Sequence, residues 1–301
     1  MAKLGIMAES KEQRLWRGCT DCDLETVKEL ANDLAVDLNW EGENRGDTPL
    51  HRACRFGWLE IAEELLAQER IEKNKGNKGG AGPFSIACQE GHKEVVLLLL
   101  ADPRIDPNKL DQDSYTPFFI ACCKGHKEVV SLLLADPRID PNKANDKGST
   151  PFLVACQNAR KEVVSLLLAD PRIDPNKPIN DHSTPLWVAS QQGHLVVVQL
   201  LLASGREIDT GKRSDVNNKT AAEQGRAMGT ADKEDNDTEE AYERSKTNGP
   251  LSADVIDEYE HDPVTVRNRL RRQPGLRENF IGHLFALVVF QPTPSLSSKR
   301  N

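Results

Sequence analysis

The sequence is poor in aromatic residues and has no surplus of basic charge. Phe, Trp and Tyr make up 5% of its 301 residues, so we expect no extended aromatic surface of the kind that stacks nucleobases. The formal net charge at pH 7 is −8, whereas general affinity for nucleic acid depends on a basic surface. The composition therefore predicts that nucleic acid is not a partner.

Long apolar runs and a disulfide framework are also missing. The most apolar stretch, LFALVVF at 284–290, would as a helix cover about 10 Å of a hydrocarbon core about 30 Å thick, so we predict no transmembrane segment. The opening MAKLGIMAESKEQR has no apolar run typical of a secretory signal. The seven cysteines lack the spacing of a secreted framework. These absences predict a cytoplasmic protein that is not secreted, with a nuclear location as the alternative.

What the sequence has instead is an internal repeat. KEVVSLLLADPRIDPNK at 127–143 recurs unchanged at 161–177, and the copy at 93–109 differs only at Leu97. Five prolines keep a constant interval of 34 residues: Pro49, Pro83, Pro117, Pro151 and Pro185. Periods of 20–50 residues are typical of stacked supersecondary units. Because a catalytic site needs its groups only once, the repeated segment is interpreted as scaffold.

Each unit is predicted to fold as helix, turn, helix and loop. A Thr-Pro pair supplies a capping hydroxyl and a proline at the first helical position, and a glycine eight residues after the proline suits a left-handed turn. In the second helix Val129, Leu132 and Leu133 share one face. Asp136 and Pro137 then end that helix. Such a unit cannot bury its apolar face alone, so neighbouring units must stack.

These motifs resemble the ankyrin repeat: TPLHRACRFG at 48–57, Gly-His before a Val/Leu-rich second helix, and Asp-x-Asn in the loop. The resemblance implies an all-α fold, an ankyrin-type helix-turn-helix solenoid with short hairpin loops, here followed by a small C-terminal helical segment. The predicted organisation is a diverged N-terminal capping repeat at 14–44, five repeats at 45–215, a partial repeat at 216–230, an acidic linker at 231–249, a helical segment at 250–290 and a disordered tail at 291–301.

Two departures from the family pattern carry structural expectations. The histidine of Thr-Pro-Leu-His occurs only at His51, and the later units have Ser85, Phe119, Leu153 and Trp187 in its place. We therefore expect the hydrogen bond that this histidine makes in family members to be absent from most units. In the fourth unit Ala159 replaces the turn glycine, so a strained left-handed turn is expected there.

No catalytic, metal or cofactor site is predicted. His92, His126 and His194 recur in step with the repeat, but stacked units lie about 8–10 Å apart, whereas zinc needs four ligands at about 2 Å. We interpret them as structural histidines. By the same spacing Cys88, Cys122 and Cys156 are interpreted as small buried helix residues.

Two shorter motifs are also dismissed. Cys19 and Cys22 form a C-x-x-C without a second pair of ligands. GNKGGAGP at 76–83 lacks the order of a phosphate-binding loop and is interpreted as a hairpin tip.

The resemblance implies a protein partner bound on the concave side, which hairpin tips and the exposed ends of the first helices form. The residues carried over to this surface are Arg55, Phe56, Gln112, Asp113, Tyr115, Lys124, Asp146, Lys147, Asn158, Asn180, Asp181 and Gln192. These columns vary while the core columns repeat, which indicates either a surface that specifies a partner or free drift of exposed positions. Tyr115, Phe56 and Arg55 are the best anchor candidates, since aromatic residues and Arg dominate interface energies.

The C-terminal segment leaves three hypotheses open. DPVTVRNRLRRQPG at 262–275 starts with a capping Asp262 and carries four arginines, and LRENFIGHLFALVVF at 276–290 is strongly apolar. The favoured hypothesis is that the apolar helix covers the last repeat, because terminal repeats need a polar outer surface. Docking on a partner or a second copy is the next. Contact with an acidic membrane surface is not expected, because acidic residues precede the arginines.

The sequence as a whole predicts a non-enzymatic scaffold or adaptor that binds one or more partner proteins. Two alternatives remain open. The chain is either a regulatory or targeting subunit of an enzyme carried on another chain, or a member of an expanded repeat family without a dedicated partner.

Overall fold

The computed structural model of the chain describes residues 9–228, 252–273 and 276. In these residues helices are the only regular secondary structure, and none of the helices is long and apolar enough to cross a membrane. The chain divides into two compact units, Met1–Val163 and Val164–Asn301, which are described separately. The predicted acidic linker at 231–249 and tail at 291–301 lie outside the described residues.

The first unit consists of helix pairs. Its helices are α1 (Lys11–Asp21), α2 (Leu24–Ala31), α3 (Pro49–Phe56), α4 (Leu59–Leu66), α5 (Pro83–Glu90), α6 (Lys93–Ala101), α7 (Pro117–Lys124), α8 (Lys127–Ala135) and α9 (Pro151–Gln157). The first helices α1, α3, α5, α7 and α9 pack in succession, and the second helices α2, α4, α6 and α8 do the same. The unit is therefore a stack of two helical layers, as the repeat predicts.

The second unit contains the last full repeat and the C-terminal helices. Helix α10 (Lys161–Ala169) spans the boundary, and α11 (Pro185–Gln191), α12 (Leu195–Ala203), α13 (Ala221–Met228), a helix α14 at 252–261 and α15 (Pro263–Arg272) follow. Helix α13 packs against α11, as the first helix of a further repeat would.

The caps follow the predicted chemistry. Thr48, Thr116, Thr150 and Thr184 each precede a proline and accept a hydrogen bond from the backbone N–H three residues later. Gly57, Gly91 and Gly125 end their helices with φ of +73°, +81° and +89°. In the fourth unit Ala159 adopts φ +53°, a region that costs an L-residue roughly 1–2 kcal/mol. The strained turn predicted at Ala159 is confirmed.

The core of the first unit contains a column of cysteines along the first helices. Cys19, Cys54, Cys88, Cys122 and Cys156 are free and buried. Burial raises the pKa of all five thiols far above the ordinary value because a thiolate would lose its hydration. These residues are therefore small core residues, and the prediction for Cys88, Cys122 and Cys156 is confirmed.

The third residue of a first helix can form a hydrogen bond to the hairpin tip of the next repeat. His51 Nδ1 accepts the Thr48 N–H, so Nε2 carries the proton and donates it to the Ala81 carbonyl at 2.9 Å. In the second unit Trp187 Nε1 donates to the Lys219 carbonyl at 3.1 Å. The carbonyl lies in both cases two residues before the next first helix. The bond is thus retained at Trp187, where we expected none, because an indole N–H reaches the same acceptor.

The asparagines of the repeat join successive loops on the opposite side. Asn74 Nδ2 donates to the Arg104 carbonyl at 2.6 Å, and its Oδ1 accepts the Asp106 N–H at 2.9 Å. Asn108 donates in the same way to the Arg138 carbonyl. Because the Asn74 amide both donates and accepts, it fixes the spacing between neighbouring loops, which gives a reason for the column to recur.

The described part of the C-terminal segment covers the last full repeat of the second unit. Helix α15 packs against α12, its Val266 and Leu270 are buried, and Arg271 Nε donates to the Ala203 carbonyl at the end of α12 at 2.8 Å. In the first unit Arg70, after α4, binds the Ala31 carbonyl at the end of α2 in the same manner. Helix α15 therefore occupies the place of a second helix in a sixth repeat.

This contact favours the capping hypothesis, although a different helix makes it. The apolar stretch at 276–290, which the hypothesis invoked, lies outside the described residues except for the buried Leu276.

Candidate partner-binding surface

The hairpin tips of the first unit are tied together by main-chain hydrogen bonds. Lys78 N donates to the Arg45 carbonyl at 2.9 Å, and Gln112 N donates to the Gly79 carbonyl at 3.0 Å. The side chains at the tips are therefore presented at regular intervals from a fixed backbone. A surface of this kind binds with little loss of conformational entropy.

Tyr115 lies at the third full tip, on the side of the first helices. Its ring stacks on Phe119 with centroids 4.7 Å apart and planes at 6°, and it is half-buried. Two exposed residues of the same tip, Gln112 and Asp113, precede it in sequence, and the exposed Lys124 ends α7. Among the described residues nothing hydrogen-bonds the Tyr115 hydroxyl. A supported ring with a free hydroxyl is a typical interface anchor.

Arg55 is already engaged within the molecule. Its guanidinium bonds Asp47 Oδ2 at 2.9 and 3.1 Å and Glu90 Oε1 at 3.2 Å, and the Arg55 side chain is 11% exposed. Burial pushes the pKa of Asp47 upward, but hydrogen bonds from Asn77 and the Arg55 charge outweigh it and leave that pKa below its ordinary value. Arg55 is therefore mainly a brace between a tip and two helices, and offers a partner less than the sequence predicts.

Phe56 belongs to an aromatic cluster at the start of the first unit. It is 38% exposed, its ring lies 6.4 Å from that of Trp58, and the Arg52 guanidinium lies 4.7 Å from its centroid. The ring is thus accessible on one side and supported on the other.

Asp146, Lys147 and Asn158 complete the predicted surface of the first unit and are all exposed. Asp146 Oδ2 accepts the Ser114 hydroxyl at 2.8 Å, which joins the third and fourth tips. Asn158 Nδ2 donates to the Val154 carbonyl at 2.9 Å. All three side chains are thus exposed at the surface of the first unit, and Asp146 and Asn158 are also held by contacts within the molecule.

In the second unit the predicted residues Asn180, Asp181 and Gln192 are exposed or half-buried. Asp181 Oδ1 accepts the Ser183 N–H at 2.8 Å, and the Asp181 carbonyl accepts the Asp215 N–H at 2.8 Å. His182 Nδ1 and Asp215 Oδ2 form a further link at 2.6 Å. The last tip is therefore tied to the loop before α13.

The sequence analysis missed a pocket beside the first tip. It has a volume of about 540 Å3, and its lining includes Trp16, Trp40, Arg45 and Arg52. Trp16 Nε1 donates to the Asp47 carbonyl at 2.8 Å, the bond that His51 makes one repeat later. The first repeat is offset by one residue, since Asn39 precedes Asn74 by 35, which concealed this equivalence. Arg52, at a position that is aliphatic in all four later full repeats, is the signal that could have revealed the pocket.

The repeated histidines of the first unit are structural, as predicted. His92 Nε2 lies 2.9 Å from the Arg55 carbonyl and His126 Nε2 lies 2.7 Å from the Gln89 carbonyl. Each ring covers the turn glycine of the preceding repeat, where a Cβ would meet it at 2.6 and 2.5 Å. Within the described ranges no group of three or more His, Cys, Asp or Glu side chains is placed to hold a metal ion.

Comparison with solved structures finds the same fold in other proteins. The ankyrin repeat domain of Bcl-3, a member of the IκB protein family, aligns with a TM-score of 0.61 and 24% identity over 70% of this chain and 92% of that one. The ankyrin repeat domain of human ASB11 aligns with a TM-score of 0.59 and 24% identity over 77% and 96%. Since 517 solved chains match, this likeness is evidence of fold and not of a particular partner.

Comparison of sequences gives the family. A search of curated proteins found no match. The profile of ankyrin repeats matches three times, at residues 15–111, 84–179 and 137–213, which together cover most of the chain and the same repeats that the structure displays. The predicted all-α ankyrin fold is thereby confirmed, and the chain belongs to the ankyrin repeat family.

Proposed function

We propose that this protein is a non-enzymatic scaffold or adaptor that binds partner proteins through the concave face of its repeats. Ankyrin repeats are in general protein–protein interaction modules and not catalytic domains. The observation that carries the proposal is the contrast between columns. The core columns repeat, whereas the tips and first-helix ends differ from unit to unit and leave Tyr115, Lys124 and Asp146 accessible. The proposed function needs no cofactor. We propose the cytoplasm as the location of the protein.

A second candidate is a regulatory or targeting subunit of an enzyme carried on another chain. It uses the same surface, so the identity of the captured partner distinguishes it from a scaffold. The third alternative, a repeat protein without a dedicated partner, predicts no selective capture at all.

The test is affinity capture from native extract with the full chain and with Tyr115→Ala. We expect the variant to lose the partner, because an anchoring aromatic typically contributes 2 kcal/mol or more to binding. The lost Phe119 stack costs the fold only about 1 kcal/mol, which thermal unfolding measures. Lys127→Ala, on the outer helix α8, is the control and should capture as the unchanged chain does. Equal capture by all three proteins would show that Tyr115 is not part of the partner-binding surface.

A further inference from the structure

Arg52 is a charged residue in an apolar column. The equivalent residues in the later repeats of the first unit are Ile86, Ile120 and Val154, which are 3%, 9% and 7% exposed. Packing therefore favours an aliphatic side chain at this position. Burial lowers the pKa of Arg52, which reflects the cost of removing its guanidinium from water. The stacking of the repeats does not account for the arginine.

The guanidinium of Arg52 is held in one orientation. It lies 4.3 Å from the centroid of Trp16 and 4.7 Å from that of Phe56, and its Nε donates to Thr20 Oγ1 at 3.0 Å. Within the part of the chain that the structure describes, no carboxylate lies within 4 Å of it and its two terminal amino groups have no acceptor. It is thus a rigid donor fork whose binding geometry is set in advance, the arrangement that favours bidentate carboxylates.

The remainder of the pocket adds donors, and two of its three acidic residues are already paired with arginines. Arg45 and the Trp40 indole line it, and neither has a side-chain hydrogen bond to any described residue. Of the acidic residues in its wall, Glu9 pairs with Arg17 at 2.9 Å and Asp47 pairs with Arg55, which leaves Glu43 as the carboxylate without an ion pair. Arg45 and Arg52 therefore outweigh it, and the pocket suits an anion attached to an apolar group.

We infer that this pocket binds a peptide segment of a partner protein through an Asp or Glu side chain, with its carboxylate on the Arg52 fork and a neighbouring apolar side chain against Trp40. The inference rests on the proposed function, because it names the chemistry of the partner at one end of the same surface. The volume of about 540 Å3 is in the range of sites that enclose small ligands, about 300–1,000 Å3.

The experiment uses the full chain and a displayed library of random peptides. Selected peptides are expected to share an acidic residue beside an apolar one. Binding of one such peptide, of its version with that residue neutralised to the amide, and of a version with phosphoserine there is then measured against the unchanged chain and Arg52→Ile. The isoleucine is the residue that the column itself uses, so this variant should fold; Arg52→Lys is the second variant if it does not. Lys127→Gln is the charge-matched control.

We expect the amide version to bind the unchanged chain at least tenfold more weakly, because a buried carboxylate–guanidinium pair is lost. Arg52→Ile should bind acid and amide versions equally, and Lys127→Gln should discriminate as the unchanged chain does. Arg52→Lys should retain part of the discrimination, since it keeps the charge and loses the fork.

Four results would overturn the inference. Peptides without a shared acidic residue, or full discrimination by Arg52→Ile, would remove the pocket assignment and leave the proposed function intact. A phosphoserine peptide that binds tenfold more tightly than the acidic one would replace carboxylate by phosphate as the ligand. If the unchanged chain selects no peptide at all, the inference fails, whereas the proposed function is decided separately by affinity capture from native extract.

Discussion

The outer repeats and the middle repeats hold their hairpin tips by different means. Near the two ends of the array Trp16, His51 and Trp187 donate a ring N–H to the carbonyl of the next tip. In the middle, Phe119 has no donor and stacks instead on Tyr115 of its own tip, and the buried Ser85 hydroxyl has no partner. The side chain at this position therefore bonds the next tip only where it carries a ring N–H, and in these two middle repeats it makes no such bond.

The comparison shows that nearly identical repeats can differ in the contacts that one residue position makes. The repeat that carries His51 has neighbours on both sides, since α3 packs against α1 and α5. Its extra hydrogen bond therefore reflects the side chain at this position and not a missing neighbour. A terminal repeat has, in addition, an outer face that must be covered. In the second unit α15 closes the face of α12, and in the first unit α1 carries Trp16, whose indole bonds the first tip.

The largest expected effect comes from opening the closed end. Leu270→Ala should lower the free energy of unfolding by about 2–5 kcal/mol, because the residue is buried on α15 and its truncation leaves a cavity. Urea unfolding of the full chain measures the change. Val264→Ala is the control on the same helix, since Val264 is 64% exposed, and it should be neutral. Equal effects of the two variants would favour docking of this segment on a partner over capping.

The next effect comes from converting an end-type tip to the middle type. His51→Leu introduces the residue found at Leu153 and leaves the Ala81 carbonyl without its donor, so stability should fall by about 1–3 kcal/mol. Ser85→Ala, one repeat later, removes a hydroxyl that has no partner and should not destabilise. If Ser85→Ala were as harmful as His51→Leu, the two kinds of tip would not differ.

His51 also predicts a pH dependence. Burial lowers its pKa in the folded chain, outweighing the hydrogen bond to the Ala81 carbonyl, whereas in the unfolded chain the pKa is about 6.5. The unfolded state therefore binds more protons below pH 6.5, and stability falls as the pH falls through this value. His51→Leu should remove this part of the slope between pH 7 and 5, which chemical unfolding at several pH values measures.

The smallest expected effect concerns the turn at Ala159, where the other middle repeats have a glycine. Ala159→Gly should raise stability by about 1 kcal/mol, because glycine adopts φ +53° without the penalty that alanine incurs. Gly125→Ala, the reverse change one repeat earlier, should lower it by a similar amount. Its new Cβ would meet the Arg160 side chain at 2.7 Å, which is flexible enough to move. A thermal unfolding series of the two variants checks the opposite signs.

Much of the fold could be predicted because local rules and the repeat agree. Thr-Pro caps, glycine turns and the strain at Ala159 depend on a few consecutive residues, and the structural role of His92 follows from the spacing of stacked units. The residues missed were those whose role depends on a contact with the next repeat. The Trp187 indole reaches the Lys219 carbonyl at the acceptor position that His51 also uses, and Arg55 is buried because Asp47 and Glu90 converge on it.

For the candidate surface, the sequence predicted the variable positions at the hairpin tips and first-helix ends, but not how exposed each side chain is. The variable positions predicted Tyr115 and Phe56 as anchors, and both rings are partly accessible. Arg52 was overlooked, because its position reads as core in every later repeat and becomes a pocket wall only where the diverged first repeat brings Trp16 against it.

Period, caps and turn residues are enough to establish a stack of ankyrin repeats, since the caps and turn residues act over a few residues and each recurs in four of the five full repeats. Only the tertiary structure decided which polar side chains form hydrogen bonds within the molecule and which remain accessible to a partner. That division depends on contacts between residues some 30 to 40 positions apart, such as Arg55 with Glu90 and Arg52 with Trp16, and distances of this kind are set by how one repeat lies on the next.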